Sequence, residues 1–157
     1  MIIGGEVTIG VFGEPLSAIH VPNTKIKTIE STKSNAVFKL IRDYLPGPYT
    51  FILPTSSGLP RIYKKRKEVG IRMPDNPVIC GICRELGHPM LSMSVHYDPE
   101  EPEYATDPEL IHERYEDQVD MVVDGGYGDV EGSTVVNCTA EPFSIIRHGK
   151  GHIVLHA

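Results

Sequence analysis

From residue 35 onward the chain switches between two apolar periods. Val37, Leu40, Ile41, Tyr44 and Leu45 recur three and four positions apart, the spacing of one helical face, with Ser34 or Asn35 to cap the start and Pro46-Gly47-Pro48 to stop it. Tyr49 to Leu53 and Val69 to Met73 are short β-prone runs bounded by proline or glycine, and they predict strands in the middle of a sheet. A second helix is expected after Asp75 or Asn76 as cap, with Pro77 in its first turn, Ile79, Ile82, Cys83 and Leu86 facing inward, and Gly87 as the stop.

The pattern continues with a strand from Met90 to Val95, a Pro- and Glu-rich loop from Tyr97 to Tyr104, and a helix opened by Asp107-Pro108 that runs to about Gln118. Asp120 to Val123, Thr134 to Cys138 and Phe143 to Arg147 read as strands, with Ile153 to Leu155 a further one. Gly125 to Gly132 is a glycine-rich connection. Ahead of residue 35 only Val7 to Phe12 and Ala18 to Val21 are β-prone. Strands separated by helices need crossovers, so pairing is parallel or mixed, and the strand-rich end adds an antiparallel portion. The expectation is an α/β fold with a mixed sheet, built as one domain over residues 1–157, without repeats or low-complexity tracts.

Composition narrows the class. With 40% hydrophobic and 23% charged residues the chain is globular, and no stretch approaches the roughly 20 apolar residues of a membrane span, so no membrane partner is expected. Met1 to Ala18 lacks a basic start and is broken by glycines, unlike a secretion signal. Three cysteines, two of them one helical turn apart, suit a reducing compartment, and a cytoplasmic location follows. Cys80-Gly-Ile-Cys83 reads as core rather than as a redox pair. His88, His148, His152 and His156 lack a partnering ligand pair, so no structural metal is expected. The net charge of −6 argues against a surface made wholly for nucleic acid. The exception is a basic run holding Lys64, Lys65, Arg66 and Lys67, either a solvated loop or an RNA contact, opposed by the acidic segment from Asp98 to Asp124.

Four ordered stretches carry a resemblance. Leu45-Pro-Gly-Pro-Tyr-Thr-Phe-Ile-Leu53 is followed by Val69-Gly-Ile-Arg-Met-Pro-Asp-Asn-Pro77. Then come Gly87-His-Pro-Met-Leu-Ser-Met-Ser94, and Gly132-Ser-Thr-Val-Val136 leading to Ile145-Ile-Arg-His-Gly149. Together, over residues 36 to 155, they resemble the threonylcarbamoyl-AMP synthase or YrdC-like family, nearest its YciO-like branch. The resemblance implies a twisted open mixed sheet with flanking helices, of the YrdC/RibB-like kind, and a concave, positively lined cavity. It implies ATP with Mg²⁺, L-threonine and bicarbonate as substrates, threonylcarbamoyl-adenylate as product, and a place in tRNA modification. It also implies site residues. Arg72 would hold the amino-acid carboxylate through a bidentate pair, its plain alternative being a surface ion pair with Asp75. Ser92 and Ser94, alternating on one strand face, match the family's Ser-x-Ser at the nucleotide. Ser133, after the glycine loop, and Arg147, on the next strand, would meet one phosphate or ribose.

The sequence departs from the family in two places. The early Pro-Thr-Asp-Thr-x-Tyr-Gly-Leu segment and the Lys-x-Arg after it have no counterpart, since Lys25, Lys27 and Lys33 stand at other spacings, so the N-terminal strands are expected to be atypical or missing. Val95 and His96 replace the Ala-Asn that follows Ser-x-Ser in the synthases, and His96 reads as structural rather than catalytic. Three readings stay open. One is a nucleotide- or RNA-binding relative of L-threonylcarbamoyladenylate synthase without full activity, whose RNA would be tRNA or a duplex. Another is an active synthase dependent on ATP, threonine and bicarbonate. The third is an interaction module using an exposed sheet edge, which a homodimer would share.

Overall fold

The computed structural model describes residues 2–3, 18–20, 35–55, 66–87, 90–92, 94–95 and 97–155. The expected strand from Val7 to Phe12 lies outside these residues. The strands are β1 (Ile2–Ile3), β2 (Ala18–His20), β3 (Tyr49–Pro54), β4 (Glu68–Arg72), β5 (Met90–Ser92), β6 (Val122–Val123), β7 (Thr134–Asn137) and β8 (Ser144–Arg147). The helices are α1 (Asn35–Tyr44), α2 (Pro77–Leu86) and α3 (Pro108–Tyr115), with a 3-10 turn at Pro102–Ala105. Six strands form one sheet in the order β5-β2-β4-β3-β7-β8, and β1 pairs with β6 apart from it. Within the large sheet β2 runs parallel to β4 and β3 parallel to β7, while the remaining neighbours are antiparallel. This is the mixed sheet that the pattern predicts, with the twist and flanking helices that the resemblance implies.

The core explains why β3 reads as a nearly continuous apolar run. Tyr49, Phe51 and Leu53 join Val69, Ile71 and Val136 and meet Val37, Ile41 and Leu45 from α1. Thr50 and Ile52, of opposite parity, are buried as well, so both faces of β3 are shielded from water. The turn from α1 into β3 needs glycine: a Cβ on Gly47 would stand 2.6 Å from the Tyr44 carbonyl oxygen and 3.2 Å from the Tyr49 ring. That turn is tied to the end of β4 by the Gly47 N–H donating to Met73 O at 2.8 Å.

The start and stop signals of α2 are borne out. Asn76 accepts N–H bonds from Val78 and Ile79 at 3.0 and 3.1 Å, and Gly87 closes the helix at φ 67°, donating to the Cys83 and Arg84 carbonyls. Cys83 is buried beside Ile79, Cys80 donates to Pro74 O at 3.2 Å, and Cys138 lies in the main core. All three are thiols rather than disulfide sulfurs. Burial pushes the Cys138 thiol up to about 12, and burial, helped by neighbouring Cys80, raises that of Cys83.

Several elements differ from expectation, β6 among them, which spans Val122–Val123 rather than Asp120–Val123. α3, capped by Asp107, ends at Tyr115, and residues 116–118 continue as turns. The strand expected to reach Val95 ends at Ser92, because Val95 packs against Ile111 in a second small core instead of staying in the ladder. Residues 153–155 form no strand. Ile153 and Leu155 pack on the main core while His152 and Val154 face out, so the two-residue alternation is real but comes from a segment draped along the surface. Among the described residues no helix is long and apolar enough to cross a membrane.

Candidate functional site

Cross-strand partners share a sheet face, so the register states which side chains are collected together. Arg72 on β4 stands opposite Thr50 on β3, Thr50 opposite Val135 on β7, and Val135 opposite Arg147 on β8. One face therefore carries a row that includes two arginines, three strand spacings or roughly 14 Å apart along the backbone. A second row on the same face, two residues along each strand, links Ser92, Ala18, Gly70, Ile52 and Asn137. Arg72, Ser92 and Arg147, expected from distant stretches of the sequence, thus belong to one side of one sheet.

The built part of this face is the start of β7. Arg147 lays its guanidinium over Gly132, where a Cβ would come within 2.9 Å of Nη2. Its Nε and Nη2 both donate to the Ser133 carbonyl, at 3.2 and 2.8 Å, and Nη2 also lies 3.4 Å from Ser133 Oγ. Ser133 Oγ in turn bonds Thr50 Oγ1 at 2.7 Å. Ser133 is buried and Arg147 is exposed. The backing is continuous. Lys150 N–H donates to Gly132 O at 3.0 Å, Gly149 N–H to Thr134 Oγ1 at 2.9 Å, and Thr134 Oγ1 to Gly151 O at 2.6 Å. Lys150 Nζ pairs with Asp129 at 2.7 Å, fastening the glycine-rich loop to the segment after β8.

The electrostatic consequence lies in what holds Arg147. A carbonyl orients a guanidinium without cancelling its charge, whereas a carboxylate does both. Among the described residues no carboxylate pairs with Arg147, and its Nη1 group meets no protein acceptor. A fixed cation beside a serine hydroxyl is an arrangement that receives an anion.

The other sequence-derived residues fall in different places. Arg72 is half-buried at the end of β4. Ser92 is buried on the same face, but Ser94 is exposed beyond the end of β5, so the two serines do not alternate along a continuing strand. Arg66 and Lys67 are exposed in the loop entering β4, while Lys64, Lys65 and His96 lie outside the described residues. The β3–β4 ladder runs from Thr50–Arg72 at one end to Pro54–Glu68 at the other, which puts the basic loop about 14 Å from the arginine row. The two positive regions are separate. Thr50 was not foreseen. Its only signal is a hydroxyl inside an otherwise apolar strand, a group that must find a partner when buried.

A twisted mixed sheet with helices packed on it, bearing its polar row on one face, places the molecule among α/β proteins of the YciO and Sua5 type. The chain belongs to the Sua5–YciO–YrdC family: the family model described as "Telomere recombination" matches residues 13–149. It is 42% identical over 120 residues to an uncharacterized protein of Haemophilus influenzae, covering 75% of this chain and 58% of that protein. The crystal structure of E. coli YciO has the same fold, with a TM-score of 0.74 and 33% identity over 87% of this chain and 67% of that one. The structure of P. abyssi Sua5 complexed with L-threonine shares the fold at a TM-score of 0.70 and 22% identity, over 85% of this chain and 40% of that one. Kinship extends to a threonylcarbamoyl-AMP synthase of Idiomarina loihiensis, 28% identical over 95 residues, or 60% of this chain and 50% of that one. The chain spans 58% of the length of the first curated relatives it matches.

Proposed function

We propose that this chain is a nucleotide-binding relative of L-threonylcarbamoyladenylate synthase that holds a nucleotide phosphate at Ser133 and Arg147 without turning ATP over. Arg72, on β4 in the same row, would take a carboxylate such as that of L-threonine, and Ser92 would contribute a hydroxyl to the nucleotide. The observation that carries this reading is the Arg147 guanidinium, fixed by two N–H bonds to the Ser133 carbonyl and left with its charge uncancelled. The amino-acid part is supported by the family: a Sua5 structure has been solved with L-threonine.

Binding without turnover follows from charge. Attack at the α-phosphate shifts negative charge among the phosphate oxygens, and enzymes meet it with several converging cations and usually Mg²⁺. Here the row has two arginines on strands roughly 14 Å apart along the backbone, and residues 1–34, ahead of the first family motif, hold no Lys-x-Arg. Val95, where the synthases have alanine before asparagine, is spent on the Ile111 core. ATP would bring its own Mg²⁺ on the phosphates. A role in tRNA or duplex RNA binding would fall to exposed Arg66 and Lys67, which stand apart from this row and have no comparable geometry.

Calorimetric titration with MgATP and with L-threonine, run beside a pyrophosphate-release assay, tests the reading. Saturable heats for both ligands and no pyrophosphate above the protein-free rate are expected. Absence of ATP binding defeats it, and steady pyrophosphate release establishes the active synthase instead.

A further inference from the structure

We propose that Thr50 is a positioning residue: its hydroxyl orients that of Ser133 so that the serine proton is delivered to the anion at Arg147. This inference rests on the nucleotide reading above and adds to it a residue with no charge and no place in the sequence-derived site.

The argument begins with burial. Thr50 is the second residue of β3 and 9% exposed, where a hydroxyl is costly unless it is bonded. Its bond is to Ser133 Oγ, 83 residues away in sequence and 2.7 Å away in space. Ser133 Oγ is approached from a second side by Arg147 Nη2 at 3.4 Å. A guanidinium only donates, so on that side the serine oxygen acts as acceptor.

The one remaining variable is the direction of the Thr50–Ser133 bond. If Ser133 donates to Thr50, its single proton is consumed inside the protein and the anion meets only the guanidinium. If Thr50 donates to Ser133, the serine oxygen accepts from both neighbours and its own proton is released toward a third partner. Hydroxyl rotors exchange these states at little cost. An anion beside Arg147 selects the second state, because only then does an O–H join the guanidinium in meeting it, and such charge-assisted bonds are the stronger ones. Threonine suits the position on two counts. β-branching restricts χ1 on a strand, fixing the direction of Oγ1, and the methyl group fills buried space that a serine would leave open.

The test is a double-mutant cycle read by MgATP titration of wild type, Thr50→Val, Thr50→Ser, Ser133→Ala and Thr50→Val with Ser133→Ala. Valine keeps the shape and removes the hydroxyl. Thr50→Val is expected to weaken ATP binding by about three- to tenfold, the effect of one lost hydrogen bond, while Thr50→Ser restores near-wild-type affinity. In the Ser133→Ala background Thr50→Val is expected to cost nothing further, since there is no hydroxyl left to orient. Wild-type affinity in Thr50→Val overturns the proposal. So does an equal loss in both serine backgrounds that tracks a lowered thermal midpoint, which would make Thr50 a packing residue. If wild type binds ATP, Arg147→Gln loses it and Thr50→Val does not, only the Thr50 inference falls. If wild type binds no ATP, the nucleotide reading itself has failed and takes this one with it.

Discussion

Arg147 and Ser133 show how little chemistry is needed to make a cation available. The same guanidinium facing Asp or Glu would be a surface ion pair, worth little and already neutral to an incoming ligand. Facing a carbonyl, it is held and still charged. Phe51 shows the opposite case, a residue whose whole role is volume. It is fully buried at the crossing of β3, β4 and α1, so Phe51→Ala is expected to cost about 3–5 kcal/mol of stability. Urea unfolding measures this, and a cost below about 1 kcal/mol would mean that the core is not where it is placed here. At this scale the sequence supplied candidates where a residue type announces its chemistry, as Arg72, Ser133 and Arg147 do within an ordered set of motifs, and the register places Arg72 and Arg147 on one face. Thr50 was not legible, because inside Tyr49–Leu53 nothing separates a threonine chosen for strand propensity from one chosen for its hydroxyl. Only the parallel pairing of β3 with β7 reveals its partner.

Elements were readable where their ends are chemical. Asn76, Pro77 and Gly87 mark α2 because each end leaves backbone groups that specific residues satisfy. β5 and residues 153–155 were misjudged because a two-residue alternation reports which side chains face the core and not whether the backbone has a ladder partner. The loop of residues 125–132 and the segment after β8 are likewise joined by contacts that no local pattern predicts. Asp129 accepts the Glu131 N–H and pairs with Lys150, and in that order these hold its carboxyl below its ordinary 3.8. A depressed carboxyl pKa means that the folded state prefers the ionised form. Its contribution is then full above 3.8 and is lost as pH falls through the folded-state value beneath it. The stability difference between wild type and Asp129→Asn is therefore expected to be present at neutral pH and to shrink progressively below pH 3.8. A difference that does not change with pH would show that the Asp129 charge plays no part in holding this loop.

For the whole molecule, fold class was within reach because alternating strands and helices admit few arrangements, and the mixed sheet follows from crossover length. Register was beyond reach. A slip of one residue moves a strand's side chains to the other face, so no count of apolar positions could have placed Arg72 and Arg147 on the same side of β4-β3-β7-β8. That placement joins the four ordered motifs into one surface and leaves the basic loop at Arg66 and Lys67 outside it. The measurement bearing most directly on this account is the MgATP dissociation constant of Arg147→Gln against that of wild type. A loss of about tenfold or more is predicted, as expected when a charge-assisted phosphate contact is removed. Unchanged affinity in Arg147→Gln, with ATP binding lost instead on replacing Arg66 and Lys67, would contradict it.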